Sequence, residues 1–460
     1  MTHISFLGGV GTVTGSKFLV ETDNRHVLVD CGLFQGLKQH RLRNWDRFPV
    51  EPASIHAVVL THAHLDHSGY LPLLVRSGFK GTVLCTEATR DLCSILLPDS
   101  GHLQERDAEF ANRHGFSKHK PALPLYTEAE ARACLDRLEP QRFGTSHALG
   151  DAMTVRFLPA GHILGAAMVE IATRGGTVLF SGDLGRPNSP TMVDPAIVGQ
   201  ADYLLIESTY GNRTHDPADA LQVLADVINK TARRGGTILV PTFAVGRAQT
   251  LLYFIRELKT RRMIPDMPVY LDSPMAIDAS HIFCAHLGEH RLTELQCRDL
   301  CAVAHYVNDV EGSKALDRSA APKVVLAASG MATGGRVLHH LKALAPDVRN
   351  TIVFAGFQAP GTRGAAMVGG AESVIIHGAD VPVRAEVRNL SMLSAHADRE
   401  EIMAWLTKFT SPPRMTFVVH GEPAAADSLR LAIEERLGWP CQIPAYLQRV
   451  KLGADVPGRD

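Results

Sequence analysis

The sequence contains no long hydrophobic run and almost no excess of charge of either sign. Apolar stretches such as Val58–Leu60 and Ile238–Val240 are far shorter than the ~20 residues that a membrane-spanning helix needs. The N-terminus lacks a basic segment followed by an apolar one, so we expect no secretory signal. With 47 basic and 48 acidic residues, the chain is not a generally basic nucleic-acid coat, although a local basic cleft is compatible with this balance.

Cysteine spacing typical of metal or redox sites is also missing. The eight cysteines form no CxxC motif. Cys297 and Cys301 lie four residues apart in a predicted helix, where two small buried side chains are expected rather than a metal knuckle. Together these features predict a reduced, cytoplasmic protein.

The chain is long enough for two or three domains at 460 residues. Short strands mixed with helices in the first third predict a layered α/β architecture, with one helix expected over Ser68–Arg76. From about 209 to 392, strands and helices alternate. This pattern is typical of βαβ crossovers and predicts a separate domain built on a parallel sheet.

Histidine, in contrast, is abundant, with 22 residues, and several of them lie beside aspartates. The strongest motif is His62-Ala63-His64-Leu65-Asp66-His67, which follows the apolar strand Val58–Leu60. His62 and His64 are two residues apart on an extended chain, so their side chains can point to the same side. Asp66 and His67 follow where the loop turns into a predicted helix, and the chain changes direction there. One segment could therefore supply ligands to two adjacent metal ions. Imidazole and carboxylate ligands suit Zn²⁺ best, with Mn²⁺ or Fe²⁺ as alternatives. A lone HxH would be interpreted as a polar loop, but the complete HxHxDH motif favours a metal site.

Three further segments place a ligand-type residue and a glycine in a loop or after an apolar strand. They contain His162, Asp183 and His420, and Asp183 could bridge two metal ions. Each segment alone is equally compatible with a turn or a hydrogen-bonded histidine. Combined with HxHxDH, they favour a dinuclear site at one edge of a sheet.

These motifs resemble those of the metallo-β-lactamase superfamily, and specifically its β-CASP branch. The superfamily resemblance is carried by Asp30, the HxHxDH motif, His162 and Asp183, and the branch motifs A, B and C correspond to Glu207, His396 and His420. Within the branch, the chain is most similar to the nuclease subunit of pre-mRNA 3′-end processing and its bacterial and archaeal relatives.

The resemblance implies a fold that the hydrophobic periodicity of the sequence alone does not predict. Residues 1–208 and 393–460 would form an αββα sandwich, the metallo-β-lactamase domain. Residues 209–392 would form the inserted α/β β-CASP domain, built on a mainly parallel sheet.

The resemblance also implies a ligand set and a mechanism. One Zn²⁺ would bind His62, His64 and His162, and the other Asp66, His67 and His420, while Asp183 would bridge them and Asp30 would orient a ligand imidazole. A hydroxide bridging the two metals would attack phosphorus, and His396, oriented by Glu207, would protonate the leaving oxygen. The catalytic residues implied are therefore Asp66, Glu207 and His396.

Two glycine-containing loops in the insert are candidate phosphate contacts, because each lies between a predicted strand and a predicted helix. The candidate residues are Arg247, Ser329, Gly330, Gly334 and Arg336. Ordinary turn chemistry is the alternative interpretation for both loops.

We therefore predict a zinc-dependent ribonuclease, cleaving endonucleolytically, from the 5′ end, or both. RNA is expected as the partner because relatives with histidine at motif C resemble RNA-cleaving enzymes, and single strands fit the near-neutral charge. A homodimer is left open, and no membrane contact is expected. The alternatives are a metallo-hydrolase of a small ester or thioester and a non-catalytic RNA-binding subunit.

Overall fold

Local sequence signals set many of the helix boundaries in the computed structural model, which describes residues 1–23, 25–115 and 117–453. The helix Glu87–His114 ends at Gly115, whose φ of 66° is a left-handed conformation that glycine adopts without strain. The helix Arg399–Leu406 begins with a capping box, in which Asp398 and Glu401 each bond to the other's backbone N–H.

Within the described residues, the helices and strands alternate along most of the chain. The strands are β1 (Thr2–Phe6), β2 (Phe18–Thr22), β3 (Arg25–Val29), β4 (Ala57–Val59), β5 (Thr82–Thr86), β6 (Leu138–Gln141), β7 (Ser146–Ala148), β8 (Met153–Pro159), β9 (Ala167–Thr173), β10 (Gly176–Phe180), β11 (Tyr203–Glu207), β12 (Ile238–Pro241), β13 (Val269–Asp272), β14 (His305–Tyr306), β15 (Val324–Ala327), β16 (Thr351–Phe354), β17 (Ser373–Ile376), β18 (Ala379–Pro382), β19 (Glu386–Asn389), β20 (Met415–Val419), β21 (Cys441–Gln442) and β22 (Arg449–Leu452). The α-helices are α1 (Lys38–Leu42), α2 (Leu65–Ser68), α3 (Leu71–Arg76), α4 (Glu87–His114), α5 (Glu128–Leu135), α6 (Ala220–Arg233), α7 (Arg247–Thr260), α8 (Pro274–Ala285), α9 (Glu294–Ala302), α10 (Val310–Arg318), α11 (Val337–Leu344), α12 (Arg363–Val368), α13 (Arg399–Leu406) and α14 (Pro423–Leu437). Short 3-10 helices occupy Pro52–Ser54, Leu287–Glu289 and Ser391–Leu393.

The chain divides into two compact units. The first comprises the described residues of Met1–Ser189, Val193–Thr214 and His396–Asp460, and the second comprises Pro190–Met192 and His215–Ala395. The second unit begins and ends within a few residues of the predicted insert 209–392, whose own boundaries stay a prediction.

The first unit is a sandwich of two seven-stranded sheets. The strand orders are β22-β1-β2-β3-β4-β5-β6 and β21-β20-β11-β10-β9-β8-β7. Buried side chains from both sheets form one apolar core, in which the ring of Phe6 on β1 lies 5.1 Å from the ring of Phe417 on β20. Helix α4 packs on β5 and β6, and α14 packs on β20 and β21. The predicted αββα sandwich is confirmed.

The second unit is built on a six-stranded sheet in the order β14-β13-β15-β12-β16-β19, and every neighbouring pair in it is parallel. Because parallel strands need crossover connections, helices lie between successive strands. The predicted parallel α/β insert is confirmed. Helices α8, α9 and α10 are additional elements, which the alternation of the sequence does not predict.

The helix predicted over Ser68–Arg76 is wrong in detail, because the structure has two helices there, α2 and α3. Pro72 lies in the first turn of α3 and has no backbone N–H. In a continuous helix its ring would also clash with the carbonyl of Ser68, four residues earlier, so the chain restarts instead.

A buried charge cluster at the carboxyl end of β13 ties the second unit together. His340 on α11, which is fully buried, places Nε2 2.7 Å from Asp272 and Nδ1 2.6 Å from Asp317. Arg336 and Ser313 also donate to Asp272. Burial lowers the pKa of His340, but the two carboxylates outweigh it and raise the pKa to about 9.

Replacing His340 with glutamine should therefore destabilise the protein in a pH-dependent way. The pKa of His340 is higher in the folded chain than its ordinary 6.5, so its contribution is complete below about pH 6.5 and is lost as the pH rises through about 9. We expect a loss of ~3–5 kcal/mol at low pH and a clearly smaller loss at high pH, measured by denaturant unfolding of both chains. His339→Gln, an exposed neighbour on the same helix, is the matched control; an equal loss at all pH values would contradict the charged state of His340.

Candidate metal centre

The candidate ligands follow strand ends of the first unit. In one sheet, β3 and β4 are parallel neighbours, and Asp30 and His62 follow them. In the other sheet, β10, β11 and β20 are parallel neighbours, and their carboxyl ends supply Asp183, Glu207 and His420. Because the ends of parallel strands lie at one edge of a sheet, residues far apart in sequence come together there.

Four ligand atoms form a first group: Nε2 of His62, Nδ1 of His64, Nε2 of His162 and one oxygen of Asp183. His64 Nδ1 lies 3.2 Å from His62 Nε2 and 3.3 Å from His162 Nε2, and Asp183 Oδ2 lies 3.4 Å from each of those Nε2 atoms. A tetrahedral cation with bonds of ~2.0–2.1 Å separates its ligand atoms by about 3.3–3.4 Å. The four atoms therefore have the spacing of a tetrahedral cation site.

Hydrogen bonds among these rings do not explain the arrangement. Depending on the tautomer, Nδ1 of His64 offers either one lone pair or one proton, and neither can make a good hydrogen bond to both His62 and His162. A cation in the centre would accept a lone pair from every ring at once.

Asp66, His67 and His420 form a second group next to the first. Asp66 Oδ2 lies 3.8 Å from Nε2 of His67 and 3.8 Å from Nε2 of His420. Both imidazoles are buried, whereas Asp66 is partly exposed and leaves one side of this group open.

Asp183 lies between the two groups and presents one carboxylate oxygen to each. Oδ2 faces His62 and His162 in the first group, both at 3.4 Å. Oδ1 lies 3.2 Å from Nε2 of His67 and 3.5 Å from Nε2 of His420 in the second. This is the geometry of a carboxylate that bridges two cations.

Two atoms of this centre support its fit to metal ions independently of the spacing. Nε2 of His67 and Oδ1 of Asp183 are fully buried and lie 3.2 Å apart, but no hydrogen bond of acceptable geometry joins them, and neither atom has another hydrogen-bond partner among the residues that the structure describes. A buried polar atom left unsatisfied costs ~1–3 kcal/mol, so such atoms are rare without a purpose. Coordination of a cation would satisfy both.

Outer residues hold the ligand rings in place. Nδ1 of His67 donates to Asp30 at 2.7 Å, and Asp30 also accepts from the backbone N–H and hydroxyl of Thr61. The hydroxyl of Thr61 lies 3.0 Å from Nδ1 of His62, and that of Ser16 lies 2.8 Å from Nδ1 of His420. Such contacts select the tautomer that leaves the other ring nitrogen for a metal. The sequence predicted Asp30 but not Thr61 or Ser16; Thr61 adjoins the motif, whereas no local signal marks Ser16.

The backbone is strained or crowded at the same positions. Asp30 and His420 adopt left-handed φ angles of 60° and 48°, which non-glycine residues rarely adopt. A Cβ at Gly32 would lie 1.6 Å from the carbonyl oxygen of Asp66, so only glycine allows this approach. Strain of this kind clusters at functional sites.

His396, which is partly exposed, and Glu207, which is buried, form a pair beside the first group. Nδ1 of His396 lies 3.0 Å from Glu207 Oε1, and its Nε2 lies 3.8 Å from Asp183 Oδ2. Glu207 is fully buried and also accepts from the backbone N–H groups of Leu184 and Thr209. The imidazole is therefore held in one orientation, with Nε2 directed toward the metal centre.

Electrostatics prepare the centre for cations. Burial lowers the pKa of His64 to about 3 and that of His162 well below its usual range, so both rings are neutral, as imidazoles must be to bind a metal. Burial opposes ionisation of Asp183, but the surrounding imidazoles, His67 first, hold its pKa well below the usual range. Without a cation, Asp183 and Asp30 outweigh burial and raise the pKa of His67, so metal binding would release a proton there.

The predicted phosphate contacts lie in the second unit, where the structure brings their two loops together. A Cβ at Gly330 would meet the ring of Phe243 at 2.5 Å, so the loops pack closely. Arg247 is the buried first residue of α7, and the Ser329 hydroxyl bonds to Thr333.

Gly334 and Arg336, the other two predicted phosphate contacts, have different surroundings. No atom of the described residues lies within 4 Å of a Cβ built at Gly334. Arg336 donates to Asp272 and to the carbonyls of Val307 and Asn308, which favours a structural role for its side chain. A phosphate contact by any of the five residues stays a prediction.

Comparison with protein families gives three matches along the chain. The metallo-β-lactamase superfamily matches residues 10–240, the Beta-Casp domain matches 248–367, and the Zn-dependent metallo-hydrolase RNA specificity domain matches 380–444. The chain belongs to the β-CASP branch of the metallo-β-lactamase superfamily. The resemblance inferred from the motifs is thereby confirmed.

Curated relatives cover most of this β-CASP chain. Ribonuclease TTHA0252 of Thermus thermophilus is 38% identical over 423 residues, which are 90% of this chain and 92% of that protein. Transcription termination factor FttA of Methanocaldococcus jannaschii is 31% identical over 473 residues, 98% of this chain and 72% of that protein. A crystal structure of a protein of unknown function from Enterococcus faecalis aligns with a TM-score of 0.55 at 13% identity over 98% of this chain and 99% of that one, which supports the fold alone.

No helix among the described residues is both long and apolar enough to cross a membrane.

Proposed function

We propose that this β-CASP chain is a ribonuclease that hydrolyses phosphodiester bonds at a centre holding two zinc ions. The observation that carries the proposal is the position of the Asp183 carboxylate. Its Oδ2 faces His62 and His162 of one group, and its Oδ1 faces His67 and His420 of the other. The family match to an RNA specificity domain and a relative named ribonuclease support RNA as the substrate.

The ligand assignment follows the two groups. His62, His64 and His162 would hold one ion, Asp66, His67 and His420 the other, and Asp183 would bridge them. Histidine-rich tetrahedral spacing favours zinc, and Mn²⁺ or Fe²⁺ would bind the same donors less tightly. A pair of divalent cations there supplies an activated water at neutral pH and neutralises negative charge on the phosphoryl oxygens.

The protein's own groups then carry the proton that the leaving oxygen needs. His396 directs Nε2 toward the centre, while its Nδ1 is held by Glu207. Burial lowers the pKa of His396, but Glu207 and Asp183 outweigh it and raise the pKa to about 9, so the ring carries a proton at neutral pH. We assign His396 as the proton donor and Glu207 as the residue that positions it.

The proposal also covers the form of the RNA substrate, the cellular location, the oligomeric state and the mode of cleavage. Single-stranded RNA is the expected form of the substrate. The phosphodiester group that is cleaved must reach a buried centre, and a single strand can bring it there more easily than a duplex. A cytoplasmic location is supported by the eight cysteines, all of which are free thiols. Homodimer formation and the choice between endonucleolytic and 5′-exonucleolytic cleavage stay open predictions.

The test is cleavage of end-labelled RNA by the purified chain, loaded with zinc or treated with a chelator. We expect zinc-dependent cleavage of single-stranded RNA and much slower cleavage of DNA of the same sequence. Hydrolysis of a thioester in place of RNA would support a small-molecule hydrolase instead. Binding of RNA without turnover at full metal occupancy would support a non-catalytic subunit.

Replacing Asp30 with alanine tests the outer contacts of the centre. Asp30 is 1% exposed and holds Nδ1 of His67, so its loss should leave that ring free to rotate and to adopt the other tautomer. We expect zinc affinity ~10–100-fold weaker, measured by competition with a chromogenic chelator. Asp30→Asn, which keeps the size of the side chain, separates loss of charge from loss of packing; unchanged affinity in both variants would contradict the assignment.

A further inference from the structure

We propose a second RNA-binding site on the first unit, centred on Trp45 and sharing no residue with the metal centre. Its ligand is a short stretch of single-stranded RNA, held by base stacking and by contacts to phosphates. We define the Trp45 surface as Lys38, Arg41, Arg43, Trp45 and Arg47. The proposal deepens the ribonuclease function and rests on it for its biological meaning.

Charge is the first observation. The segment 38–48, KQHRLRNWDRF, contains four basic residues and one acidic residue, although the whole chain has a net charge of −1. Lys38, Arg41 and Arg47 are exposed. A basic segment in a near-neutral protein concentrates positive potential where a polyanion can reach it.

Aromatic exposure is the second observation. Trp45 is 58% exposed, whereas Trp405 and Trp439 are each 8% exposed. An exposed indole among basic side chains provides a flat apolar face, and bases of single-stranded nucleic acids stack on such faces with little regard to sequence.

A cavity is the third observation. It has a volume of about 400 Å³ and is lined by Trp45, Arg47, Phe48, Tyr70 and Arg76 among others. Cavities of ~300 Å³ and above are large enough for small-molecule groups such as a nucleobase. The rings of Phe48 and Tyr70 lie 5.7 Å apart at its wall, so a base entering beside Trp45 would meet further aromatic surface.

Two acidic residues, Asp46 and Glu51, also line the cavity, so the positive potential comes from the wider Trp45 surface rather than from the cavity lining alone. Arg47 lies 3.6 Å from Glu51, with the two side chains 90% and 61% exposed. An exposed pair of this kind contributes only ~0–1 kcal/mol, so the guanidinium can exchange it for a phosphate at little cost. A guanidinium also matches phosphate geometry better than an ammonium does.

The surface is held rigidly. Asn44, which is 4% exposed, accepts from the backbone N–H of Phe34 at 2.9 Å and donates to its carbonyl at 2.8 Å. The guanidinium of Arg43 lies 4.2 Å from the ring centre of Tyr446 and 5.4 Å from that of Phe34. Trp45 therefore extends from an anchored loop, which reduces the entropy lost on binding.

The same loop begins at the metal centre. The backbone N–H of Cys31 donates to the carbonyl of His67 at 2.7 Å, and that of Leu33 donates to the carbonyl of Leu65 at 2.8 Å. A strand of RNA bound at the centre and at the Trp45 surface would thus contact two parts of one continuous segment. Binding at two linked sites favours longer RNA over short fragments.

The test uses tryptophan fluorescence of the full-length, zinc-loaded chain carrying His396→Ala to prevent cleavage. The probe is oligouridylate of about 30 nucleotides, whose bases stack weakly on one another and are therefore available to the protein. We expect saturable quenching that is lost in Trp45→Ala, because the two remaining tryptophans are buried.

Affinity measured by an independent method, such as polarisation of labelled RNA, separates stacking from charge. Trp45→Ala should bind about tenfold more weakly, while Trp45→Phe should retain most of the affinity. A plot of log K against log salt concentration has a negative slope, and Arg47→Ala should make that slope shallower by about 0.7. This is the change expected when one phosphate contact to a single strand is lost. The matched controls are Phe110→Ala, an aromatic residue that is 48% exposed, and Arg174→Ala, whose side chain is 73% exposed.

Unchanged RNA affinity in Trp45→Ala and Arg47→Ala would overturn the proposal. A shift of the Trp45→Ala variant from dimer to monomer in sedimentation, with RNA affinity intact, would overturn it in favour of a protein contact. Failure of the ribonuclease function is distinguishable: the wild-type chain with zinc would then cleave no RNA, yet Trp45-dependent quenching would persist.

Discussion

Replacing Asp183 with alanine should abolish stable metal binding and lower the rate of RNA cleavage by about a thousandfold or more. Its two oxygens face both ligand groups, so one substitution removes a donor from each proposed ion. It also leaves the three imidazoles of the first group facing one another without a carboxylate. Loss of metal assistance removes several kcal/mol of transition-state stabilisation, which corresponds to that factor in rate.

Metal content of the variant should be measured by elemental analysis after dialysis, in parallel with single-turnover cleavage of labelled RNA. Asp151→Ala, an exposed aspartate of the same unit, is the matched control and should keep both metal and activity. Two equivalents of zinc retained by Asp183→Ala would show that the carboxylate does not bridge.

Replacing His396 with alanine should slow RNA cleavage by about 10²–10⁴-fold while leaving the metal content unchanged. His396 belongs to neither proposed ion's ligand set, and its Nε2 lies 3.8 Å from the carboxylate of Asp183. The variant therefore removes the proton donor and keeps the donors to the metals. Zinc content and turnover, measured on the same preparation, separate the two roles.

A substrate with a better leaving group distinguishes proton donation from a structural role. A nitrophenyl phosphodiester releases an anion that needs no proton, so His396→Ala should lose much less activity on it than on RNA. His102→Ala, whose ring is 54% exposed, should lose none on either substrate. An equal loss on both substrates would rule out His396 as the proton donor.

Local signals account for the parts of the fold that sequence analysis predicted. The alternation of strands and helices after residue 209 predicts the parallel sheet of the second unit, because each βαβ connection is encoded within a short segment. The single helix predicted over Ser68–Arg76 was wrong, since the apolar pattern continues through Pro72 although the hydrogen bonding cannot. Helices α8 to α10 lie between two neighbouring strands of the sheet, where regular alternation predicts only one connection.

The sequence by itself determined the set of candidate site residues: HxHxDH, Asp30, His162, Asp183, Glu207, His396 and His420 are all recognisable as ligand-type or motif residues in the printed chain. Only the tertiary structure decided how they combine. The two oxygens of Asp183 face different histidine groups, and the hydroxyl of Ser16 supports His420 across 404 positions of sequence. Residue types follow from local composition, whereas distances between strand ends depend on how two sheets pair and pack, and no local pattern records that packing.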